Sequence, residues 1–300
     1  MLPDTDELPD VLLDLAVPHE DINALVTGVS ALTGDAGAMR LLDACVAELT
    51  PGATALQGTS RLGELLTGTP PALGAHFAAY VFVAALPHTR AYHRERGVPA
   101  EVTRRTLADL GRNMASHRRL HGTGGVRAPE WLVRHFRGEL YQLGRLQFER
   151  ARAGERTAPL LRTVGLACDP DTRCLHLHIP DFRGPLTPTA CDRSLELARR
   201  FFAAHFPEEA YPAGVCRSWL LDPQLRRYLP AGSNIIRFQE RFRVAVDDTG
   251  PSDTTPVRFV FGDPDLPVDG LPRRSSLERA VGDHLRAGGH WYLGHGWFPL

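Results

Sequence analysis

The residues with the greatest chemical capacity fall in one short run, Cys174–Pro180, of sequence CLHLHIP. Strict alternation places Cys174, His176 and His178 on one side of a strand and Leu175, Leu177 and Ile179 on the other. Two imidazoles on one strand face suit a general base beside an orienting partner. A histidine satisfied by a backbone carbonyl in the core is the plainer alternative, and it weighs more on His176 than on His178. With Cys174 these positions make only a weak zinc signal, and no metal is expected. Glu149, in LQFER, can deprotonate an amine or pair with an arginine. Cys216 and Ser218 share a face of a second alternating segment, AGVCRSWLL. Either serves as nucleophile or proton carrier if that strand lies beside His178; a small buried thiol and a strand-lining hydroxyl are the ordinary alternatives. No G-x-S-x-G elbow supports a hydrolase. Trp219 either walls a substrate pocket or fills the core. Asn234 and Arg237 offer substrate contacts against the simpler readings of a helix start and a solvated cation. His117 and His121 stand four apart, with Arg118 and Arg119 between them favouring a solvated helix face.

These side chains need a frame. Pro180 cannot donate to a sheet ladder, so the first strand stops there. The loop DFRGPL leads to Thr187 at an N-cap position and Pro188 at the first helical one. Cys191, Leu195, Ala198 and Phe202 then recur at helical spacing, and AGVCRSWLL follows as a strand. Strand, loop, helix, strand is a crossover that favours parallel pairing and puts the loop at the strand's carboxyl end, where ligands of open α/β sheets bind. His178, Asp181 and Arg183 line that edge. Around it, Tyr141–Arg150 reads as the first strand and ARAGERTAP as a loop. LLRTVGLAC and RCLHLHIP read as a hairpin. Asp222–Pro223 opens a short helix carrying Leu225, Tyr228 and Leu229, and Ser233 caps another turn. RFRVAV and PVRFVFG read as a hairpin across the polar loop Asp247–Thr255. Ser275–Ala287 is an amphipathic helix and GHWYLGHGWFPL a final strand, in which Gly294 and Gly296 admit a ligand or another backbone. Upstream, VLLDLAV, Asp21–Leu32, AMRLLDACVAEL, Leu73–Ala84, Ala100–Arg118 and EWLVRHFRGEL have helical spacing, broken by TPGATALQGTS and TGTPP. The expected fold class is therefore α/β (mixed α+β), with a helical N-terminal domain over residues 1–138 and a mixed sheet with flanking helices over 139–300.

Composition narrows the field. The chain has 300 residues and a net charge of −1, so no basic surface announces nucleic acid. All its basic residues are arginine, which excludes Schiff-base lysine chemistry and a P-loop lysine and is the bias of a GC-rich bacterial genome. The five cysteines are odd in number and form no C-x-x-C pair, as in a protein with reduced thiols. No signal pattern opens the chain and Ala75–Leu86 is too short to span a bilayer, so a cytoplasmic protein without membrane contact is expected.

The phrases GRLQFER, LHIP, GPLTPTACDRSLELARRFF, CRSWLLDPQL and SNIIRFQERF resemble a bacterial family of acyltransferase-domain proteins. That family joins a helical N-terminal domain to one like those of the GNAT superfamily, and the likeness covers nearly the whole chain. It implies acyl transfer from acyl-CoA to an amine or hydroxyl of a small-molecule acceptor. The cofactor would lie across the crossover unit, on Arg183, Gly184, Thr187 and Thr189, and Tyr228 occupies roughly the place of a general acid for the departing thiolate. The usual glycine-rich pyrophosphate segment is altered here, because Phe182–Thr189 holds one glycine and two prolines and each proline removes an N–H donor. Direct transfer is the first reading. A Cys/Ser-His enzyme with a covalent intermediate and a non-catalytic GNAT-like module are its rivals.

Overall fold

The computed structural model describes residues 2–50, 60–163, 165–246 and 250–300, with nothing stated of the Val246 side chain. The break TPGATALQGTS and the start of the Asp247–Thr255 loop therefore lie largely outside the described residues. The chain divides into two compact units, residues 1–142 and 143–300.

The first unit is helical, as its spacing predicts: α1 (Leu8–Asp14), α2 (His19–Thr33), α3 (Ala36–Leu49), α4 (Leu62–Leu66), α5 (Phe77–Glu95), α6 (Ala100–Leu107), α7 (Asp109–His121) and α8 (Pro129–Phe136). Its core is built around α5, whose residues from Ala79 to Leu86 are all buried. Leu42, Cys45 and Leu49 of α3 and Leu132 and Phe136 of α8 belong to the same cluster. The single polar helix expected over Ala100–Arg118 is two helices. It breaks at Ala108 (ψ −5°), which starts a new helix whose first residue, Asp109, is buried.

The second unit carries the sheet. The strands of the sheet are β1 (Leu140–Leu143), whose first three residues are counted in the first unit, β2 (Leu146–Arg152), β3 (Arg173–His178), β4 (Ala213–Ser218), β5 (Arg243–Val246) and β6 (Gly294–Pro299), in spatial order β1-β2-β3-β4-β6-β5. The helices between them are α9 (Gly154–Thr163), α10 (Pro188–His205), α11 (Asn234–Gln239), α12 (Thr254–Phe261) and α13 (Ser276–Arg286). The crossover β3–α10–β4 is parallel, as read from the sequence. Its local signals also hold: Thr187, Asp222 and Ser233 cap the helical turns that follow them, and Ser275 and Glu278 form a capping box.

In the sheet several expectations are corrected, among them the loop ARAGERTAP, most of which is the start of α9. The strand Tyr141–Arg150 is a hairpin, because Gly144 adopts φ +70° and turns the chain. The hairpin of LLRTVGLAC with RCLHLHIP does not form, because Ala158 and Leu161, three apart, bury one face of α9 against Cys174, Val215 and Trp297. Strand β3 pairs instead with β2 in antiparallel register, Phe148↔Leu177 and Glu149↔His176. PVRFVFG is α12, in which Val257, Val260 and Phe261 also satisfy helical spacing and Pro256 falls in the first turn; β5 takes β6 as its partner, Ala245↔His295. In β6, a side chain on Gly294 would come within 2.6 Å of Leu221, so the glycine admits another stretch of backbone.

Two buried groups tie the crossover helix and the segment after it to β2 and the turn before it. At its near end Ser194 Oγ accepts from Arg145 N at 2.7 Å and donates to Ala190 O at 3.0 Å. At its far end Arg150 pairs with Glu209 and lies 3.9 Å over the Phe206 ring. Burial alone would raise the Glu209 carboxyl; Arg150 and Tyr211 more than reverse that and hold it below the usual carboxylate range.

Candidate active site

Strands β3 and β4 pair only through Leu175↔Gly214 and His176↔Val215, although β3 runs on to His178 and β4 to Ser218. The ladder stops short of both carboxyl ends, so the strands part from their pairing there. On the face that carries Cys174, the α9 cluster covers the other end of β3. The imidazole of His178 stands at the parted end, with its side chain 27% exposed, and Glu149 of the neighbouring β2 is 4% exposed beneath it.

The two meet: His178 Nε2 lies 2.7 Å from Glu149 Oε2. An ionised carboxylate only accepts, so in this contact the imidazole donates from Nε2. His176 stands directly opposite Glu149 in the ladder and is half-buried. Sequence reasoning treated Glu149 and His178 as competing bases. Their pairing depends on a strand register that alternation alone does not supply.

The other expected site residues take different partners. Cys216 is buried opposite Gly296, and burial pushes its thiol up to about 12, so it is protonated and shielded. Cys174 is likewise pushed up to about 12, by burial first and then by Cys168 and Glu149. Ser218 Oγ accepts from Leu220 N at 3.1 Å and caps the turn after β4. Trp219 is buried among Leu225, Leu229 and Trp291. Tyr228 is exposed at one edge and its hydroxyl sits 2.9 Å from His284 Nδ1. Asn234 opens α11 after the Ser233 cap, and Arg237 is a surface residue 3.2 Å from Glu240. Arg183 is half-buried in the loop after β3, Gly184 and Thr189 are exposed, and Thr187 Oγ1 accepts from Ala190 N at 3.3 Å.

Among the described residues no group of three or more His, Cys, Asp or Glu side chains could hold a metal ion. Also among them, no helix is long and apolar enough to cross a membrane. Two cavities in the helical unit, of about 420 and 390 Å³, are lined by residues such as Thr69 and Ala78 in one and Arg90, Arg94 and Thr103 in the other.

Comparison with known proteins places this geometry. The family model of the N-acyltransferase N-terminal domain matches residues 6–138, and that of the GNAT-like C-terminal domain matches residues 140–298. Among solved structures, an acyltransferase in complex with decanoyl-CoA is 37% identical over 100% of this chain and 89% of its own, with a TM-score of 0.81. An acyltransferase in complex with decanoyl-CoA and teicoplanin is 36% identical over 100% of this chain and 90% of its own, with a TM-score of 0.79. A mutant acyltransferase in complex with octanoyl-CoA has the same identity and coverage and a TM-score of 0.81. Among curated proteins, none matches the chain. The chain belongs to the family that joins an N-acyltransferase N-terminal domain to a GNAT-like C-terminal domain.

Proposed function

We propose that this protein is an acyl-CoA-dependent acyltransferase that moves a medium-chain acyl group to an amine or hydroxyl of a small molecule by direct transfer. The observation that carries this reading is the His178–Glu149 contact, 2.7 Å long, at the end of β3 where the parallel ladder opens. The decanoyl-CoA and teicoplanin bound by similar acyltransferases point to a fatty thioester and a glycopeptide-like acceptor. The helical part ends at residue 138 in this reading. The cytosol is its compartment, in keeping with free, buried cysteines.

The loop and first turn of α10 suit a diphosphate. Their donor set is the Arg183 guanidinium, the hydroxyls of Thr187 and Thr189, and the N-terminus of a helix of 18 residues. Bound there, acyl-CoA supplies an activated thioester. Glu149 orients His178, which takes the proton from the acceptor as the acceptor attacks. Main-chain N–H groups at the parted strand ends polarise the carbonyl. Water returns a proton to the departing thiolate, since the Tyr228 hydroxyl is engaged with His284. His176, Trp219, Asn234 and Arg237 fall outside this proton path: His176 borders it, and the others serve packing or the surface. The protonated, enclosed Cys216 and the capping role of Ser218 favour direct transfer over a covalent intermediate.

The test uses the full chain with decanoyl-CoA and a glycopeptide bearing a free amine. Thiol release is followed continuously and the product by mass spectrometry. Thiol release that depends on the acceptor, with one acyl mass added to it, is expected. Acyl-enzyme, or thioester cleavage without acceptor, overturns direct transfer; no thioester binding overturns catalysis altogether.

A further inference from the structure

Arg145 stands out as a buried cation without an anion. It leaves the turn between β1 and β2, is 8% exposed, and reaches under the loop that follows β3. Its Nε donates to Gly184 O at 2.8 Å and its Nη1 to Pro180 O at 2.7 Å. The third nitrogen, Nη2, has no hydrogen-bond partner among the described residues, and none of their carboxylates forms an ion pair with Arg145. Asp181, the acidic group whose field reaches it, is exposed to solvent. Arg241, which reaches the start of α10, pairs its own charge with Asp192 and donates to Pro188 O at 3.1 Å.

Such an arrangement is costly by itself. Taking a guanidinium out of water is repaid only by a counter-charge or a full set of acceptors, and two carbonyl oxygens supply part of that set. Burial accordingly lowers the affinity of Arg145 for its proton, against a partial offset from Cys191 and Asp181. An anion above the loop would complete the balance. The loop also needs help of this kind, because Pro185 and Pro188 remove two of the N–H donors with which such a segment would cradle a diphosphate. The bonds from Arg145 turn Pro180 O and Gly184 O down onto its own nitrogens. Two repelling oxygens are thereby neutralised where an anion would lie.

We propose that Arg145 is the buried cationic floor of the pyrophosphate site, a positioning residue that fixes the Pro180–Gly184 loop and supplies the charge its prolines cannot. This inference rests on the acyl-CoA reading above, and the experiment separates the two. Coenzyme A binding to the full chain is measured by calorimetry for the wild type, Arg145→Met and Arg145→Lys. Steady-state kinetics compare decanoyl-CoA with decanoyl-pantetheine, which keeps the thioester and lacks the diphosphate. Arg145→Met is expected to weaken coenzyme A binding and raise KM for decanoyl-CoA about 10- to 100-fold, the size of one or two charge-assisted contacts. Its kinetics with decanoyl-pantetheine should stay within about 2-fold, and Arg145→Lys should recover part of the coenzyme A affinity.

Equal losses on both thioesters, with a lowered melting temperature, would mean that Arg145 only holds the fold, and so would overturn the proposal. Unchanged coenzyme A affinity in a folded Arg145→Met does the same. Should Arg145→Met not fold, Arg145→Lys decides: a loss confined to the diphosphate-bearing thioester supports the proposal, and a loss shared by both overturns it. Absence of coenzyme A binding by the wild type removes both this inference and the acyl-CoA reading.

Discussion

Of the histidine–carboxylate pairs among the described residues, His135–Asp109 in the helical unit and His178–Glu149 in the sheet unit share their chemistry and differ in their surroundings. In the helical unit His135 Nε2 lies 3.1 Å from Asp109 Oδ2, with side-chain exposures of 0% and 6%. Asp109 also receives Arg112 Nε at 2.9 Å and Trp131 Nε1 at 3.3 Å. Burial alone would raise the Asp109 carboxyl, but His135 and Arg112 outweigh it and hold the group far below the usual carboxylate range. In the sheet unit a histidine meets a glutamate instead of an aspartate, at a strand end beyond the paired residues of the parallel ladder, and His178 is partly exposed. The first pair is a closed network whose protons have nowhere to go. The second has a buried carboxylate and an imidazole whose side chain is 27% exposed. Access, rather than the pairing itself, separates a structural contact from one able to move a proton.

Exchanging the consequences of the two pairs is the sharpest way to break this comparison. His178→Ala should lower kcat/KM by about 10²- to 10⁴-fold, the usual contribution of a general base, and shift the melting temperature little. His135→Ala should do the reverse. Removing one member of a buried charged network costs about 3 to 5 kcal/mol, while the folded fraction keeps its kcat. Denaturant melts and single-substrate kinetics on both variants check this. Loss of stability in the first and of turnover in the second would reverse the assignment.

How far the site was legible depends on which interactions are local. Thr187–Pro188, Asp222–Pro223, Ser233 and Ser275 were readable because a cap bonds to a backbone group within three residues. The β3–α10–β4 crossover was readable from one alternating run, one helical stripe and a second alternating run. Ambiguous periods concealed the rest. Val257, Val260 and Phe261 fit a helix as well as PVRFVFG fits a strand, and the tertiary partner decides. Gly144 lies in the middle of a run that alternates on both sides of it, so the alternation hides the turn. Glu149 and His178 are 29 residues apart. Their contact requires α9 to be a helix, since that brings β2 directly beside β3.

A third histidine gives the comparison a measurable pH dependence. His93, in α5, is buried and sits 3.0 Å from Thr103 Oγ1, and burial lowers it to about 4. In the unfolded chain it titrates near 6.5, so between about 4 and 6.5 the unfolded state binds the extra proton. Its contribution is thus fully present above pH ~6.5 and is lost as pH falls toward 4. The loss is up to about 3 kcal/mol, at about 1.4 kcal/mol per unit. Urea melts of the wild type and His93→Asn at a series of pH values should show a steeper acid decline in the wild type. Parallel curves would mean that His93 does not set the slope.

Within the open pair, Glu149→Gln asks whether the carboxylate orients the imidazole. The amide is nearly isosteric but can present N–H to His178, which permits the wrong tautomer. An expected fall of about 10- to 100-fold in kcat, as for other partners that orient a reactive histidine, should come with an unchanged KM for the thioester. A rise in KM with constant kcat would move Glu149 from proton transfer to binding.

Cys216→Ala should have the smallest effect, and it bears directly on the rival chemistry. The thiol lies at the parted strands' own level in sequence, yet it is 1% exposed and kept protonated by burial. A nucleophile needs the thiolate and a path to it, and this side chain has neither. Deleting one buried sulfur from a packed sheet costs about 1 kcal/mol through the lost contacts and the small cavity left behind. Turnover should stay within about 3-fold of the wild type, a margin that covers slight repacking against Gly296 rather than loss of a reacting group. Intact-protein mass spectra taken during turnover should show no added acyl mass in either form. An acyl adduct present in the wild type and missing in Cys216→Ala would make the buried cysteine reactive after all, and would reduce the His178–Glu149 pair to its activator.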